Sequence, residues 1–463
     1  MRILVIGSGA REHALAWKLS GEPLARELFC APGNAGTGRI ASNVAIEADD
    51  AEGLASWAAS SKIDLTVVGP EAALAAGVAD AFAVRGLRIV GPRAAAARIE
   101  SSKAFAKEFM ARHGIPTARF ETFDDAESAR RSLRARPLDD YPVVIKADGL
   151  AAGKGVVVAA TPDEATTALD ALSRLPDSAG ARVVVEEFLR GVELSVIALT
   201  DGATVLTLPP ARDYKRLGDG DTGPMTGGMG AYSPPRVADD ETLARVRREI
   251  LEPAVQGLSA EGAPYQGFLY AGLMLTPEGP RVLEFNARLG DPETQCLLPR
   301  LQTPLLPLLF AAAEGTLADE KPVWRAQACC AVVLASGGYP GPMETGYGIL
   351  GLEEVERGAL VFHGATRDPY VKEDALVREP QTRERVGGFS MFGFGRNRAQ
   401  KIDRQARQSV GDPFSRTITM GGRVLTVAAL GDTVAQAREA AYRNAAHITF
   451  TDRYYRTDIA ADD

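Results

Sequence analysis

The chain opens with short apolar, β-branched runs separated by Ala-rich intervals. RILVI (2–6), IDLTVV (63–68) and LRIV (87–90) are bounded by glycine, and the intervals between them read as helices. This pattern predicts a parallel α/β unit. Open parallel sheets bind ligands at the carboxyl ends of their strands, where this chain carries GSGAREHA, PGNAGT and GPEAAL. The three motifs are expected to face one crevice.

The pattern changes at Ser101. Ser101 or Ser102 can cap a helix that runs through Arg112, and His113-Gly114-Ile115-Pro116 stops it. A compact α+β segment is predicted next: the strand VVIKA, a Gly-rich loop at 149–155, a helix opened by Thr161 with Pro162 at its first position, and the strand VVVEEFL. Residues 191–325 alternate strands with a Gly-rich loop (218–230), a helix near 239–257, and a hairpin turning at Pro277-Glu278-Gly279. A buried strand near Ala326 begins the last portion, which finishes with GGRVLTVAALG and the helical pattern TVAQAREAAYRNA. Residues 366–416 are less regular, with eleven Lys or Arg against seven Asp or Glu, and GRNRAQKIDRQARQ within them can form a basic helix. No repeat of solenoid period is present.

Length fits this division, since 463 residues predict about three domains. No apolar run approaches the roughly 20 residues of a membrane-spanning helix. MRILVIGSGA has one basic residue and reaches glycine before any long apolar segment, so a first core strand and a cytoplasmic location are expected rather than a signal peptide. Cys30, Cys296, Cys329 and Cys330 lack a metal-ligand rhythm and read as reduced structural thiols. The net charge of −8 argues against a nucleic-acid partner while leaving room for a local basic groove.

Five motifs carry candidate chemistry. In Gly7-Ser8-Gly9-Ala10-Arg11-Glu12, Glu12 stands where a dinucleotide fingerprint needs its third glycine, which disfavours NAD and an oxidoreductase. Two readings remain level: a structural turn, or turn amides and a helix N-terminus that hold a phosphate with Arg11. Gly149-Leu-Ala-Ala-Gly153-Lys154-Gly155 is no Walker loop, since it is one residue short and lacks the Ser or Thr. Joining two strands, it reads as a flap whose Lys154 can close over phosphates. Glu186-Glu187-Phe188-Leu189 ends an apolar strand; it is either a solvated strand end or a linker offering main-chain groups to an adenine edge, with Glu193 for ribose hydroxyls.

Glu284-Phe285-Asn286-Ala287-Arg288-Leu289-Gly290-Asp291-Pro292-Glu293 is the strongest local signal. On an extended strand Glu284, Asn286 and Arg288 share one face. A carboxylate and an amide oxygen suit magnesium, and the arginine suits a phosphoryl or carboxylate group. Asp213-Tyr214-Lys215-Arg216 leads into a loop so rich in glycine and charge that it implies close backbone approach to a ligand, or a surface excursion.

Taken in order, IGSGAREHALAW, APGNAGT, IDLTVVGPEA, SSKAFAKEFMARHGIPTA, VIKADGLAAGKGVVVA, EEFLRGVELS, DYKRLGDGDTGPMTGGMGAYSP, GFLYAGLM, LEFNARLGDPETQ and ASGGYPG resemble the phosphoribosylamine–glycine ligases of the ATP-grasp superfamily. The resemblance runs to Ala365 and resumes at Gly421. It implies an α/β architecture of three parts. These are an N-terminal preATP-grasp parallel sheet (1–100), a two-lobed α+β ATP-grasp core (101–325, with a mobile small lobe about 120–190), and a small C-terminal α+β domain (326–463) with an insertion about 366–416.

The resemblance further implies ligation of glycine to 5-phosphoribosylamine through a glycyl phosphate in de novo purine synthesis, with ATP and Mg2+ or Mn2+. It assigns Glu284 and Asn286 to the metal, and Lys103, Lys146, Lys154, Glu186, Leu189 and Glu193 to ATP, Glu186 and Leu189 through their main chain. Gly9, Arg11, Asn34, Asp213, Lys215 and Arg288 go to the two other substrates, and Lys154, Asp213, Lys215 and Arg288 are the expected catalytic groups. His13 either orients a loop or touches substrate. A monomer or weak homodimer is expected, with no nucleic-acid or membrane partner.

Three departures stand out. Tyr214 and Met225 occupy positions where the family often has His and Asn, residues 366–416 exceed the usual connection, and GFLYAGLML supplies no acidic metal ligand on the strand before Glu284. A different ATP-grasp ligase or a non-enzymatic nucleotide sensor are the competing readings.

Overall fold

The computed structural model describes residues 1–149, 155–174, 182–369 and 417–463. Lys154 and nearly all of the expected 366–416 insertion, including its basic stretch, lie outside the described residues.

The N-terminal strands β1 (Arg2–Gly7), β2 (Glu27–Pro32), β3 (Ser42–Asn43), β4 (Leu65–Val68) and β5 (Ile89–Val90) form one parallel sheet in the order β3-β2-β1-β4-β5. The central position of β1 explains its unbroken apolar run, because both of its faces are covered and Ile3, Leu4, Val5 and Ile6 are fully buried. IDLTVV pairs only from Leu65 onward, since Ile63 and Asp64 belong to the turn before the strand.

The small lobe is a sheet of β6 (Phe120–Phe123), β7 (Val143–Ala147), β8 (Val156–Ala159) and β9 (Val183–Glu187), antiparallel in the order β6-β9-β7-β8. Helices Ala126–Ala135 and Pro162–Leu172 cover it, and Leu133, Ile145, Leu169 and Val185 share their core. Thr161 caps the second helix by accepting from the Glu164 amide at 3.2 Å. Helix Lys103–Arg112 begins as expected, with Ser102 Oγ accepting from the Phe105 amide.

In the large lobe β10 (Val192–Thr200), β11 (Val205–Thr207), β16 (Gly267–Thr276) and β17 (Gly279–Asn286) pair in the order β11-β10-β16-β17. Gly279 turns the β16–β17 hairpin at φ +128°, where a side chain would collide with the Arg245 guanidinium. The helix expected near 239–257 runs from Asp240 to Ala260, but residues Arg247–Leu251 take a π-helical turn. Pro253 has no amide to donate back into that turn, which explains the local loosening.

Besides two short pairs, β13 (Arg216–Gly218) with β14 (Thr222–Met225) and β20 (Thr366–Arg367) with β21 (Ile418–Thr419), a fourth sheet draws on both sides of residue 325. Its order is β12 (Arg212–Asp213), β15 (Gly230–Ser233), β18 (Ala328–Ala335), β22 (Arg423–Gly431), β19 (Leu360–His363). The Gly-rich loop between β12 and β15 is therefore built on the edge of the C-terminal sheet. Among the described residues no helix is long and apolar enough to cross a membrane.

His13 belongs to the joint between the first and last portions. Its Nδ1 accepts from the His363 amide at 2.7 Å, and its ring lies 5.4 Å from that of His363. It orients a loop. Burial, reinforced by Arg39, pushes His13 down to about 4, and burial also holds His363 well below the usual imidazole range. An unfolded chain binds protons on these residues near pH 6.5 that the folded chain refuses, so stability falls as pH drops from about 6.5 toward 4. Between about pH 7.5 and about pH 5, His13 alone should cost about 2 kcal/mol. Urea unfolding at the two pH values checks this, with His13→Gln as the comparison. An equal pH dependence in wild type and variant would remove His13 as the cause.

Candidate active site

One cavity of about 940 Å³ is walled by the N-terminal portion, both lobes of the central portion and the C-terminal portion. The strand β17 supplies its floor. Val282 and Phe285 turn into the core, while Glu284 and Asn286, with Arg288 just beyond, line the cavity. A bulge opposite Gly272 and Leu273 leaves Leu283 without a cross-strand partner, and the Lys146 ammonium donates to its carbonyl at 3.0 Å. Gly272 stands directly opposite Glu284, so the neighbouring strand has no acid to offer there.

Burial alone would raise the Glu284 carboxyl. Lys215, Lys146, Lys103 and Arg288 outweigh it and hold the group below the usual carboxylate range. An ionised carboxylate beside the Asn286 amide oxygen is a fitting donor pair for a hard divalent cation that keeps waters and bridges phosphates. Among the described residues there is no cluster of three or more His, Cys, Asp or Glu suited to a metal. The donor set thus favours a cation shared with a phosphorylated ligand over a closed protein cage.

Cations converge on this pair. Lys103 donates to the Gly149 carbonyl at 2.7 Å. Lys146 lies 2.8 Å from Glu186 Oε1 as an ion pair that is poorly aligned as a hydrogen bond. Lys107, 2.9 Å from Glu186 Oε2, completes a buried Lys-Glu-Lys array and donates to Thr117 Oγ1, whose hydroxyl donates to the Val282 carbonyl. Burial, followed by Lys146, lowers Lys107 to about 8. Glu186 sits in register between Phe120 and Val144, and Leu189 and Glu193 line the cavity beyond the strand end.

Lys215 stands 3.4 Å from Glu193, 3.7 Å from Asp213 and 4.0 Å from Glu284. Three carboxylates keep this buried ammonium charged, well above its ordinary range despite desolvation. Burial pushes Asp213 up to about 7 against the pull of Lys215, with Glu293, Glu193 and Glu284 adding to the rise. Ser195 Oγ ties Asp213 (3.3 Å), Tyr270 (2.9 Å) and Glu293 (2.9 Å) into one polar cluster.

Arg288 is bracketed by two acids of the N-terminal portion. Its Nε lies 3.2 Å from Glu71, its Nη2 2.8 Å from Glu100, and Nη2 also donates to Asn286 Oδ1 at 3.3 Å. Glu100 in addition accepts the Ala287 amide at 2.7 Å. Burial raises Glu100 to about 7, whereas Arg288 and Arg11 overcome burial at Glu71 and hold it down at about 2. Arg11 also lines the cavity, pairing with Glu12 at 2.5 Å and donating to the Leu289 carbonyl at 3.2 Å.

Gly9 and Asn34 do not join this lining. The Gly9 amide is taken by Glu12 Oε2 at 2.5 Å, and a side chain at Gly69 would collide with the same carboxylate. Glu12 thus takes up the amide that the phosphate reading of the first glycine turn would use. The Asn34 side chain donates to the Ser8 and His363 carbonyls and accepts from the Gly36 and Thr37 amides. All its capacity goes into loop packing, and PGNAGT consequently faces the C-terminal portion while GSGAREHA and GPEAAL reach the cavity.

Tyr214 and Met225 both border the cavity, and the Tyr214 hydroxyl is taken up by Asp462 and the Ala460 amide. Sequence reasoning missed Lys107, Glu71, Glu100 and Arg423. Lys107 follows Lys103 by four residues on a capped helix, a spacing that puts both on one face. Arg423, from β22, donates to the Gly227 and Asp291 carbonyls and pairs with Asp291 at 3.1 Å.

Comparison with known proteins agrees with this geometry. Residues 1–100, 101–294 and 329–462 match, respectively, the N domain, the ATP-grasp (A) domain and the C domain of phosphoribosylglycinamide synthetase. The chain is 47% identical over 464 residues to the phosphoribosylamine–glycine ligase of Xanthomonas campestris pv. campestris, covering 99% of this chain and 97% of that one. It is 46% identical over 466 residues to the enzyme of the same name from Escherichia coli O6:H1, covering 99% and 98%. The crystal structure of phosphoribosylamine–glycine ligase from Thermotoga maritima superposes with a TM-score of 0.77 at 32% identity, covering 99% of this chain and all of that one. A biotin carboxylase domain from Hydrogenobacter thermophilus shares the fold alone, at 13% identity and a TM-score of 0.64 over 98% of this chain and 91% of that one. Matched along nearly its whole length and carrying Glu284, Asn286, the lysines and the arginine in one cavity, the chain belongs to the phosphoribosylglycinamide synthetase family.

Proposed function

We infer that this chain is an ATP-dependent ligase that joins glycine to 5-phosphoribosylamine, giving glycinamide ribonucleotide, ADP and phosphate in purine synthesis. The observation that carries the reading is the meeting of Glu284, Asn286 and Arg288 with Lys103, Lys146 and Lys215 in one cavity of a chain that matches such ligases end to end.

A glycine carboxylate oxygen attacks the γ-phosphorus, the bond to the β-phosphate oxygen breaks, and ADP departs. The amine of phosphoribosylamine then attacks the glycyl carbonyl, phosphate leaves and the nitrogen loses a proton. No protein nucleophile is required. Lys103 and Lys146, together with Lys154, neutralise the phosphates, while Glu186 and Leu189 offer main-chain groups to adenine and Glu193 meets the ribose. Magnesium or manganese on Glu284 and Asn286 would supply charge stabilisation at the transferring phosphoryl group. Arg288, Lys215 and Arg11 hold the anionic ends of glycine and phosphoribosylamine. Asp213, with its carboxyl near 7, is matched to taking the amine proton at neutral pH. The glycyl phosphate hydrolyses readily, so productive transfer depends on keeping water out of the cavity. All four cysteines are free and buried, in keeping with the reducing cytoplasm where we place the reaction.

The test is ADP release with divalent metal, glycine and freshly generated phosphoribosylamine, each omitted in turn. Full turnover should require all three. Unchanged ADP release without glycine or without phosphoribosylamine would overturn the assignment.

A further inference from the structure

The loop that carries Asp213 and Lys215 is held on two sides. Within the loop the Tyr214 amide donates to the Gly230 carbonyl at 3.0 Å and the Thr226 amide to the Lys215 carbonyl at 2.8 Å, and toward the cavity Gly227 is bonded by Tyr339 and Arg423. On the opposite side, where the Arg212 guanidinium and the Tyr232 ring flank Tyr214, the hydrogen-bond partners from outside the loop come, among the described residues, from residues 454–463. Tyr214 Oη donates to Asp462 at 2.9 Å and accepts the Ala460 amide at 2.9 Å. Arg456, 1% exposed, donates to the Arg216 carbonyl at 3.1 Å and to Asp221 at 2.7 Å, and its guanidinium lies 4.8 Å from the centre of the Tyr214 ring. The Thr457 amide donates to Asp219 and the Gly220 amide to Asp458, each at 2.8 Å. Asp221 has a left-handed backbone, φ +54°, uncommon for a residue with a side chain, and it is this residue that Arg456 grips.

We propose that residues 454–463 form a clamp that positions Asp213 and Lys215, with Tyr214, Arg456 and Asp462 as positioning residues for the non-nucleotide substrates. The proposal rests on the assignment of Asp213 and Lys215 to those substrates. Tyr214 lies between the two functional residues, so its side chain anchors the strand edge from which they project into the cavity. Most ATP contacts are expected to be spared, because Lys103, Lys146, Glu186 and Leu189 sit on elements that the clamp does not touch and only Glu193, 3.4 Å from Lys215, adjoins the clamped loop. The tyrosine that departs from the family's usual residue thus gains a purpose within this chain, since its hydroxyl is the atom that reaches Asp462.

The experiment is steady-state kinetics of Tyr214→Phe, Asp462→Ala, Asp462→Asn and, as a reference, Asp213→Asn, with thermal unfolding of each. Tyr214→Phe and Asp462→Ala should raise KM for glycine or phosphoribosylamine about 5- to 10-fold and leave KM for ATP within about twofold. Asp462→Asn keeps an acceptor for the tyrosine and should restore most of the loss. If KM for ATP rises in parallel, or if Asp462→Asn is as impaired as Asp462→Ala, the clamp is wrong. Impairment of Asp213→Asn with normal kinetics in Tyr214→Phe and Asp462→Ala would sink the clamp alone. Normal kinetics in Asp213→Asn would sink the assignment of the loop, and the clamp with it.

Discussion

Glu284→Ala is expected to lower turnover by roughly three orders of magnitude, because it removes the charged member of the donor pair on which phosphoryl transfer depends. The remaining Asn286 amide is neutral, and its oxygen already accepts from Arg288 at 3.3 Å. Loss of the carboxylate also leaves Lys103, Lys146, Lys215 and Arg288 without the anion they jointly hold ionised. A divalent cation would then meet a site that repels it. Glu284→Gln separates charge from shape, since it keeps an oxygen in nearly the same place; its loss should approach that of alanine. The measurement is ADP formation across a magnesium titration. Near-normal turnover of Glu284→Ala at limiting magnesium would show that this carboxylate is not a ligand.

The part of this site that lay in the sequence lay there for a geometric reason. Alternation along an extended strand is a local property, so the common face of Glu284, Asn286 and Arg288 was legible from spacing alone. The helix caps at Ser102 and Thr161 were legible on the same grounds, as was the hairpin at Gly279. What stayed hidden depends on contacts between distant residues. Glu100 reads as an ordinary helix-end acid until the fold brings it 2.8 Å from Arg288. Arg423 reads as a strand-opening cation until β22 carries it to Asp291. The bulge that frees the Leu283 carbonyl for Lys146 exists only in the pairing of two strands. At Asn34 and Gly9 the residue types suit ligand binding, and that neighbouring carbonyls, amides and Glu12 take up their hydrogen-bonding groups is likewise visible only in the fold. The bond from the Tyr214 hydroxyl to Asp462 was hidden for the same reason, since sequence does not tell which way a side chain leaves a short edge strand.

Arg288→Met is expected to abolish most activity and also to cost about 3–5 kcal/mol of stability at neutral pH, the penalty for removing one partner of a buried charge cluster. The methionine fills much of the same volume, so the loss comes from electrostatics and not from a cavity. Without the guanidinium, Glu71 and Glu100 face each other in a buried setting that already raises Glu100 to about 7. Glu71, held near 2 by Arg288 and then Arg11, loses its larger stabiliser. The sign of the pH dependence follows. In wild type, the depressed Glu71 contributes stability above about pH 4.5 that disappears as pH falls toward 2, so the variant forfeits something only where that carboxyl is ionised. In the variant, the further rise at Glu100 makes its ionisation costlier still, and that cost vanishes once the pH is low enough to protonate it in both states. Both effects shrink the deficit as pH falls. Urea unfolding should therefore show a large gap between Arg288→Met and wild type at about pH 8 and a smaller one at about pH 5. A gap of the same size at both would mean that buried carboxylates are not its source. Adding Glu100→Gln removes one of the two stranded acids, and the double variant should regain part of the stability while remaining inactive. Recovery of turnover along with stability would show that Arg288 serves only to hold the fold and touches no substrate.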